Sequence, residues 1–263
     1  MNEKIAAAAH RLRAAAERGT PCAPVRDLIG SNDLEAAYGV QAVNVAAAVR
    51  SGRTLVGRKI GLTSPAVQEQ LGVDQPDFGS LFDDMRLVGE STPMQRLLQP
   101  RIEAEVVFVL GSDLDAPEID EAMVRQAVAG MYAGLEIVDS RITDWDITIC
   151  DTIADNASCG LFVVGSQKVQ LKDIDPAEVA MTMTINGGLV STGTGAACLG
   201  SPLNALLWLA RKAADLGQPL QAGELVLSGA LGPMAMVNPG DVIEAYISGL
   251  GYVTTRMTSK DES

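Results

Sequence analysis

The chain has 263 residues, of which 47% are hydrophobic and 20% charged, and its formal net charge is −13. This composition is that of an ordinary globular protein, and the acidic balance argues against nucleic acid as a partner, because phosphate binding needs a basic surface. No apolar run reaches the roughly 18 residues of a membrane helix, and the first residues lack the layout of a secretion signal, so we expect no membrane association and a cytoplasmic location.

The predicted elements place helices first and most strands afterwards. Gly19 ends the first helix, and Asn32 caps the second, with Glu35 placed for a capping box. This order lacks a regular alternation of strand and helix, which favours an α+β fold over a doubly wound sheet. In chain order we predict helices over 3–18 and 32–50, a strand over 54–62, a short helix over 64–72, a loop over 73–82, a strand over 101–110, a helix over 119–131, a strand over 134–140, a polar loop or helical turn over 151–158, strands over 160–164 and 178–186, a helix over 201–214, and strands over 224–228, 241–247 and 251–257.

The histidine and cysteine patterns argue against several kinds of site. His10 is the single histidine, so a Ser–His–Asp triad, a Cys–His dyad or a histidine metal site would all depend on it. The four cysteines are scattered without C-x-x-C spacing, which indicates neither a zinc site nor a redox motif. Acid–base chemistry therefore falls to carboxylates, lysine, tyrosine, serine or metal-bound water.

Three glutamates interrupt predicted strands that are otherwise apolar. Glu103 and Glu105 alternate with apolar residues and so point to the same face, and Glu136 repeats the pattern in a second strand. A solvated strand face is the ordinary alternative, but Val107 and Val109 continue the glutamate face, which indicates that it is covered. Burying neighbouring carboxylates is costly unless a cation joins them. Three carboxylates, with water or substrate oxygens, suit Mg²⁺ or Mn²⁺.

Lys59 lies in a glycine-rich strand, where the backbone can approach a ligand closely. A surface lysine is the alternative, but a buried one can pair with an anion. The stretch is not a phosphate-binding P-loop, because it lacks the G-x-x-x-x-G-K-[S/T] spacing. Asp77 and Phe78 precede Gly79 in the predicted loop, which could act as a lid.

Two further polar stretches are candidate parts of a site. Residues 151–158 pack several Asp, Asn and Ser side chains between apolar segments, and Ser158 could donate to a substrate carboxylate. Cys159 is better explained as a packed side chain than as a nucleophile, because no histidine is available to activate it. The loop over 228–233 follows a strand directly, so its backbone N–H groups could hold a carboxylate, although it could equally be a plain turn.

Taken together, these stretches resemble the 2-oxopent-4-enoate hydratase (2-hydroxypenta-2,4-dienoate hydratase) family of the fumarylacetoacetate hydrolase-like superfamily. The resemblance covers nearly the whole chain. The matching stretches are Val56–Thr63, Gly72–Gly79, Gln99–Glu105, Leu135–Val138, Asp151–Cys159, Leu199–Asn204, Ser228–Pro233 and Pro239–Asp241.

The resemblance implies an α+β fold with a central mixed β-roll, flanking helices and a helical N-terminal region. We expect an N-terminal helical/α+β region over 1–90 and a β-roll catalytic domain over 91–263, together forming one compact unit. It also implies a homo-oligomer, with association to the decarboxylase or aldolase of the same pathway. The site residues that it implies are metal ligands Glu103, Glu105 and Glu136, catalytic Lys59, Asp77 and Ser158, and substrate-binding Phe78, Leu81, Asn156, Ser228 and Gly229.

The implied activity is metal-dependent hydration of 2-hydroxypenta-2,4-dienoate to 4-hydroxy-2-oxopentanoate, in the meta-cleavage catabolism of aromatic compounds. One alternative is 4-oxalocrotonate decarboxylase, which would need an extra cation for a second carboxylate, and Arg58 and Arg141 are the candidates. Others are a hydratase of a longer 2-hydroxydienoate and a non-catalytic partner subunit. A C–C hydrolase would need a His–Glu pair, for which His10 is poorly placed.

Overall fold

The helices and strands follow the α+β order that the sequence predicts. The computed structural model describes residues 2–64, 68, 75–89 and 91–259. The helices are α1 (Glu3–Arg18), α2 (Arg26–Ile29), α3 (Leu34–Arg50), α4 (Glu121–Ala127), α5 (Ile149–Ala154) and α6 (Pro202–Asp215). The strands are β1 (Leu55–Gly61), β2 (Asp77–Phe82), β3 (Ser91–Thr92), β4 (Pro100–Leu110), β5 (Val128–Asp139), β6 (Cys159–Val164), β7 (Ala180–Ile185), β8 (Gly188–Thr194), β9 (Leu225–Ala230), β10 (Ala235–Met236), β11 (Val242–Ile247) and β12 (Gly251–Met257).

The larger sheet is mixed and strongly curled. Its strand order is β2-β1-β9-β4-β5-β6, and β10 pairs with β4. Strands β1 and β9 are parallel, whereas the other pairs in this sheet are antiparallel. Just after β2, the backbone N–H of Leu87 donates to the carbonyl of Phe162 in β6 at 2.9 Å. The two ends of the sheet therefore meet, which confirms the predicted β-roll.

The smaller sheet, β3-β12-β11-β7-β8, covers one face of the roll. Alternate residues of β4, such as Ile102 and Phe108, are fully buried and share one core with Met183 and Ile243 of this sheet. Because strand side chains alternate, the residues between them in β4 point into the roll instead. The glutamates of β4 belong to this second set.

The N-terminal helices form a second apolar cluster that also holds α5. Ala8, Leu12 and Val40 pack with Ile153 of α5 in this cluster. Gln41 of α3 ties the layers together, since its side-chain amide donates to the carbonyls of Phe78 at 2.8 Å and Ile153 at 3.1 Å. The helices thus fix α5 against β2.

Three predicted elements are wrong in part. The cap of α3 is Asp33, one residue beyond the predicted Asn32. Its carboxylate accepts from the N–H of Ala36 at 2.9 Å, and the helix begins at Leu34 without the predicted capping box. Residues 77–82 are not a loop but a wholly buried strand, because the polar and glycine residues that look like a loop face the interior of the roll. The predicted helix 119–131 ends at Ala127, where β5 begins, since pairing with β4 outweighs local helix periodicity.

Most of the other predicted elements are confirmed, including α1, β4, β6, α6 and the last two strands. The sequence analysis did not find β8, which is mostly exposed and has no apolar alternation. Most of the predicted short helix 64–72 lies outside the described residues, and the division at residue 90 stays a prediction. The described residues include no helix with the length and apolar character needed to cross a bilayer.

Candidate metal centre

Pairing of β4 with β5 brings the three glutamates together. Glu103 lies directly opposite Glu136 in the antiparallel register, and Glu105 follows on the same face of β4. Carboxylate oxygens of the three residues lie within 4.8 Å of one another. The residues are only 7%, 0% and 1% exposed for Glu103, Glu105 and Glu136. The predicted cluster of buried carboxylates is therefore present.

The glutamate oxygens are poorly matched by hydrogen-bond donors. Glu105 Oε2 accepts from the N–H of Gly229 at 2.7 Å. Within the described part of the chain, Glu105 Oε1 and both carboxylate oxygens of Glu136 have no hydrogen-bond partner. Lys59 Nζ is 3.2 Å from Glu136 Oε1, which makes an ion pair but not a well-directed hydrogen bond. One ammonium group therefore faces three buried carboxyl groups.

This imbalance raises the pKa values of the carboxyl groups. Burial raises the pKa of Glu103 to about 7, with a further contribution from Glu136 that Lys59 partly opposes. Burial, Glu136 and Glu103 together raise the pKa of Glu105 well above its usual range. A divalent cation would supply the missing positive charge and take up the orphaned oxygens. An all-oxygen donor set of this kind fits Mg²⁺ or Mn²⁺.

Lys59 reaches the glutamates from the neighbouring part of the roll. It is buried in β1, where it pairs in register with Gly79 of β2. Burial opposes its charge, but Glu136 and nearby acidic groups outweigh burial and raise its pKa. A Cβ at Gly61 would lie 2.2 Å from Asp77 Oδ1 and 3.6 Å from Lys59 Nζ, so a side chain there would displace the groups around this point.

Asp77 lies on the Lys59 face of β2 and is 1% exposed. Its Oδ2 accepts from Thr152 Oγ1 at 3.3 Å, whereas its Oδ1 has no hydrogen-bond partner among the described residues. Burial raises its pKa, although Lys59 opposes this shift. Thr152 Oγ1 is also 3.4 Å from Ser158 Oγ, so the structure brings Lys59, Asp77 and Ser158 into one polar group. Thr152 is not among the predicted site residues, although it lies in the polar stretch 151–158.

Ser158 sits in a backbone turn of unusual conformation. Asn156, Ala157 and Ser158 have φ angles of 56°, 51° and 53°. This left-handed conformation is uncommon for residues other than glycine and costs energy. The side chain of Asn156 holds this turn on β2, since it accepts from the N–H of Ser80 at 2.8 Å and donates to its carbonyl at 2.9 Å. A Cβ at Gly79 would lie 2.3 Å from the Asn156 carbonyl, so only glycine permits this close approach.

The loop after β9 borders the glutamates on another side. Gly229, with φ of 106°, directs its N–H to Glu105, and a Cβ there would lie 2.4 Å from Thr63 Oγ1. Ser228 is fully buried beside it. The predicted pair Ser228–Gly229 is therefore adjacent to the carboxylate cluster.

The structure separates Phe78 from this group. Phe78 pairs with Ile60 on the opposite face of β2 from Asp77, and its ring stacks on Tyr38 with centroids 5.1 Å apart. Leu81 is buried and lies on the same face of β2 as Asp77. A separate cavity of about 530 Å³ lies between the N-terminal helices and β6 and is not lined by the glutamates.

Comparison with known proteins gives this geometry a context. Residues 63–258 match the family model described as fumarylacetoacetate (FAA) hydrolase C-terminal. The TodF product hydratase of Pseudomonas putida is 56% identical over 248 residues, which cover 94% of this chain and 92% of that protein. The 2-keto-4-pentenoate hydratase of Paraburkholderia xenovorans is 52% identical over 253 residues, which cover 96% of this chain and 94% of that protein.

A solved structure of 4-oxalocrotonate decarboxylase from Pseudomonas putida, complexed with magnesium and adipate, superposes with a TM-score of 0.93. It is 30% identical in sequence, and the match covers 98% of each chain. The chain belongs to the fumarylacetoacetate hydrolase family and, within it, to the group of 2-keto-4-pentenoate hydratases.

Proposed function

We propose that this chain is a metal-dependent hydratase that adds water to 2-hydroxypenta-2,4-dienoate, the enol of 2-keto-4-pentenoate, to give 4-hydroxy-2-oxopentanoate. The reaction would serve meta-cleavage catabolism of aromatic compounds. The observation that carries the proposal is the buried carboxylate cluster with orphaned oxygens beside Lys59 and Asp77, in a chain more than half identical to named hydratases.

Glu103, Glu105 and Glu136 would hold the cation, which we propose to be Mg²⁺ or Mn²⁺. When bound, such an ion acts as a Lewis acid on a 2-oxo acid and stabilises enolate charge by several kcal/mol. The carboxylates keep their positions through strand pairing, and Gly229 orients Glu105 through its N–H. The protein thus presents the three oxygen ligands on one rigid face.

Lys59 would place its ammonium group at the developing negative charge on the C2 oxygen. Although burial opposes its charge, Glu136 raises its pKa in the metal-free protein, and we propose that its ammonium group acts as an electrostatic stabiliser and hydrogen-bond donor rather than as a base. This role needs no change in its protonation before substrate binds.

Asp77 is our candidate for moving protons. Its free Oδ1 and raised pKa suit a group that accepts a proton from the 2-hydroxyl and delivers one to C5. Protonation at C5 gives an α,β-unsaturated ketone, which accepts water at C4. A placed acid–base group contributes about 10²–10⁴-fold to such a step.

Ser158 would hold the substrate carboxylate through its hydroxyl. Ser228 and Gly229 would border the substrate next to Glu105, and Leu81 would supply apolar surface. Asn156 would contribute by fixing the Ser158 turn, and Phe78 by shaping β2 from its outer face, since both side chains are engaged elsewhere.

Two arginines bear on the decarboxylase alternative. A decarboxylase would need a cation for the second carboxylate of its substrate. Arg58 is on the opposite face of β1 from Lys59 and lies 3.5 Å from Glu224. Arg141 donates from Nε to Asp155 at 2.6 Å and from Nη1 to the carbonyls of Asp139 and Cys159. Because Arg58 faces away from Lys59 and Arg141 is bound to Asp155, the geometry favours a substrate with one carboxylate.

The decisive test is an absorbance assay of the purified chain with 2-hydroxypenta-2,4-dienoate and Mg²⁺ or Mn²⁺. We expect loss of dienol absorbance, with a slower reaction on 2-hydroxyhexa-2,4-dienoate and no CO₂ from 4-oxalocrotonate. Metal-dependent release of CO₂ without hydration would establish the decarboxylase alternative. Binding of metal and a 2-oxo acid without any turnover would instead indicate a non-catalytic partner.

We also propose that the chain works as a cytoplasmic homo-oligomer. The proposal of a homo-oligomer follows the family resemblance, and the exposed apolar side chains of Val88 and Met236 are available to a partner surface. Light scattering of the purified chain, alone and mixed with the pathway decarboxylase or aldolase, tests this. A monomer in both samples would contradict it.

A further inference from the structure

Thr152 occupies a position between two groups of the proposed site. It lies on α5 with 5% of its surface exposed, and Oγ1 is 3.3 Å from Asp77 Oδ2 and 3.4 Å from Ser158 Oγ. We propose that Thr152 is a positioning residue of the hydration site, whose one hydroxyl links Asp77 to Ser158 and fixes the direction of their hydrogen bonds. This inference rests on the proposed function of Asp77 and Ser158.

The donor inventory of the three groups sets the direction. An ionised carboxylate can only accept, so the Thr152 proton must point to Asp77 when Asp77 is charged. The Ser158 hydroxyl can then donate to the Thr152 oxygen. In that state the Ser158 oxygen presents only lone pairs to a substrate. When Asp77 carries a proton, it can donate to Thr152, and Thr152 can donate to Ser158. The Ser158 hydroxyl is then free to donate to a substrate oxygen.

Protonation of Asp77 therefore reverses the direction of the hydrogen bond between Thr152 and Ser158. In the proposed reaction Asp77 takes up and returns a proton, while Ser158 holds the substrate carboxylate. Thr152 would strengthen the hold of Ser158 during the interval in which Asp77 is protonated. This coupling needs a hydroxyl at position 152, and a methyl group of the same shape cannot provide it.

Hydrogen bonds on both sides of Thr152 hold α5 in place, and so they fix the distances from its hydroxyl to Asp77 and Ser158. Asp151, the preceding residue, accepts from the N–H groups of Val25 and Arg26 at 2.9 Å each and from Thr148 Oγ1 at 2.8 Å. Gln41 holds the following residue, Ile153, through its carbonyl. Because α5 is fixed on both sides of Thr152, its hydroxyl cannot follow Asp77 or Ser158 if they move.

The ordinary alternative is that Thr152 only fills space in the packed interior. Thr152→Val keeps the shape and removes the hydroxyl, whereas Thr152→Ser keeps the hydroxyl and removes the methyl group. Thr92 provides a matched control, because it is also buried and its Oγ1 lies 2.8 Å from Thr255 Oγ1, in the smaller sheet. Thr92→Val thus deletes a comparable hydroxyl contact away from the glutamates.

The test measures kcat, KM and urea unfolding for these variants in the Mg²⁺-loaded protein. We expect Thr152→Val to lower kcat by about tenfold to a hundredfold, Thr152→Ser to stay within about threefold of the unsubstituted chain, and Thr92→Val to leave kcat unchanged. In the Ser158→Ala background, Thr152→Val should lower kcat by less than it does alone, because the link to Ser158 is already gone and only the contact with Asp77 remains to be lost. A kcat within threefold for Thr152→Val, equal losses for Val and Ser, or independent effects of positions 152 and 158 would overturn the inference.

A binding measurement separates this inference from the proposed function. Calorimetry measures the affinity for 2-oxopentanoate, a saturated 2-oxo acid that cannot be hydrated. The contribution of Ser158 to holding a ligand carboxylate is thus measured without turnover. With Asp77 ionised, Ser158 donates to Thr152, so we expect Thr152→Val to release the Ser158 proton to the ligand carboxylate and tighten binding, and to change binding much less in the Ser158→Ala background. If the unsubstituted chain binds 2-oxopentanoate but hydrates no dienoate, the proposed function fails, and the binding measurement still tests the role of Thr152. Independent effects of the two substitutions on binding would overturn that role.

Discussion

Two groups of buried carboxylates in this protein differ in how their oxygens are satisfied. Asp139, Asp151 and Asp155 are as deeply buried as the glutamates. Asp139 accepts from the N–H groups of Leu98 and Gln99 at 3.0 and 2.6 Å. Each carboxylate oxygen in this aspartate group has a donor, in contrast to the orphaned oxygens on the glutamate face.

Burial raises pKa values in both groups, that of Asp139 included, and the contrast is clearest at Glu105, whose acidic neighbours Glu136 and Glu103 add to the effect of burial. Burial raises the pKa of Asp155 to about 6, but its pairing with Arg141 opposes that shift, and we expect Asp155 to be ionised at neutral pH. The pKa of Glu103 is raised to about 7, and that of Glu105 is raised well above its usual range. Burial alone therefore does not mark a metal site. What distinguishes the glutamate group is that three buried carboxylates are clustered and lack enough donors.

Glu136 differs most from the aspartates, since neither of its carboxylate oxygens has a hydrogen-bond partner in the described structure. Glu136→Gln removes one ligand charge, and we expect turnover to fall by about a thousandfold or more, because Lewis-acid stabilisation is worth several kcal/mol. Metal-free stability should stay equal or rise, since carboxylate repulsion is reduced. Enzyme assays, Mg²⁺ calorimetry and urea unfolding measure these effects; an Mg²⁺ affinity unchanged in the variant would contradict the ligand role.

The opposite result is expected in the aspartate group. Asp151→Asn leaves Arg26 and several N–H donors without a charged acceptor inside the protein, and losing hydrogen bonds to a charged group costs about 1.5–3 kcal/mol. Urea unfolding should show this loss, while Mg²⁺ affinity of the folded protein stays within about threefold of the unsubstituted chain. A large loss of metal affinity without a loss of stability would mean that the two groups do not differ as we argue.

Lys59 is the one positively charged side chain that forms an ion pair with the glutamate group among the described residues. Lys59→Met should lower kcat by about 10²–10³-fold, the usual cost of removing one stabilising group at a developing negative charge. We expect Mg²⁺ binding to remain, since the three carboxylates are intact. A kcat close to that of the unsubstituted chain, with metal bound, would remove Lys59 from the reaction.

The sequence was sufficient to predict a buried carboxylate cluster, because strand alternation places Glu103 and Glu105 on one face without knowledge of the fold. The contact between Glu105 and Gly229 depends on strands far apart in the chain, so no local pattern predicts that distance. Thr152 was missed for the same reason, since its hydroxyl becomes meaningful only when α5 lies against β2. The loop prediction over residues 77–82 failed because residues that face a polar interior resemble those that face water.

The last prediction concerns the pH dependence of metal binding. Since the pKa values of Glu103 and Glu105 are raised in the metal-free protein, binding must displace protons from them near neutral pH. Protons compete below these pKa values, so Mg²⁺ affinity should rise as pH increases from 6 to 8, by up to about tenfold per pH unit for each proton displaced. Calorimetry in two buffers with different ionisation enthalpies counts those protons. An affinity independent of pH across this range would mean that Lys59 alone keeps the glutamates ionised, and the contrast with the aspartate group would lose its energetic basis.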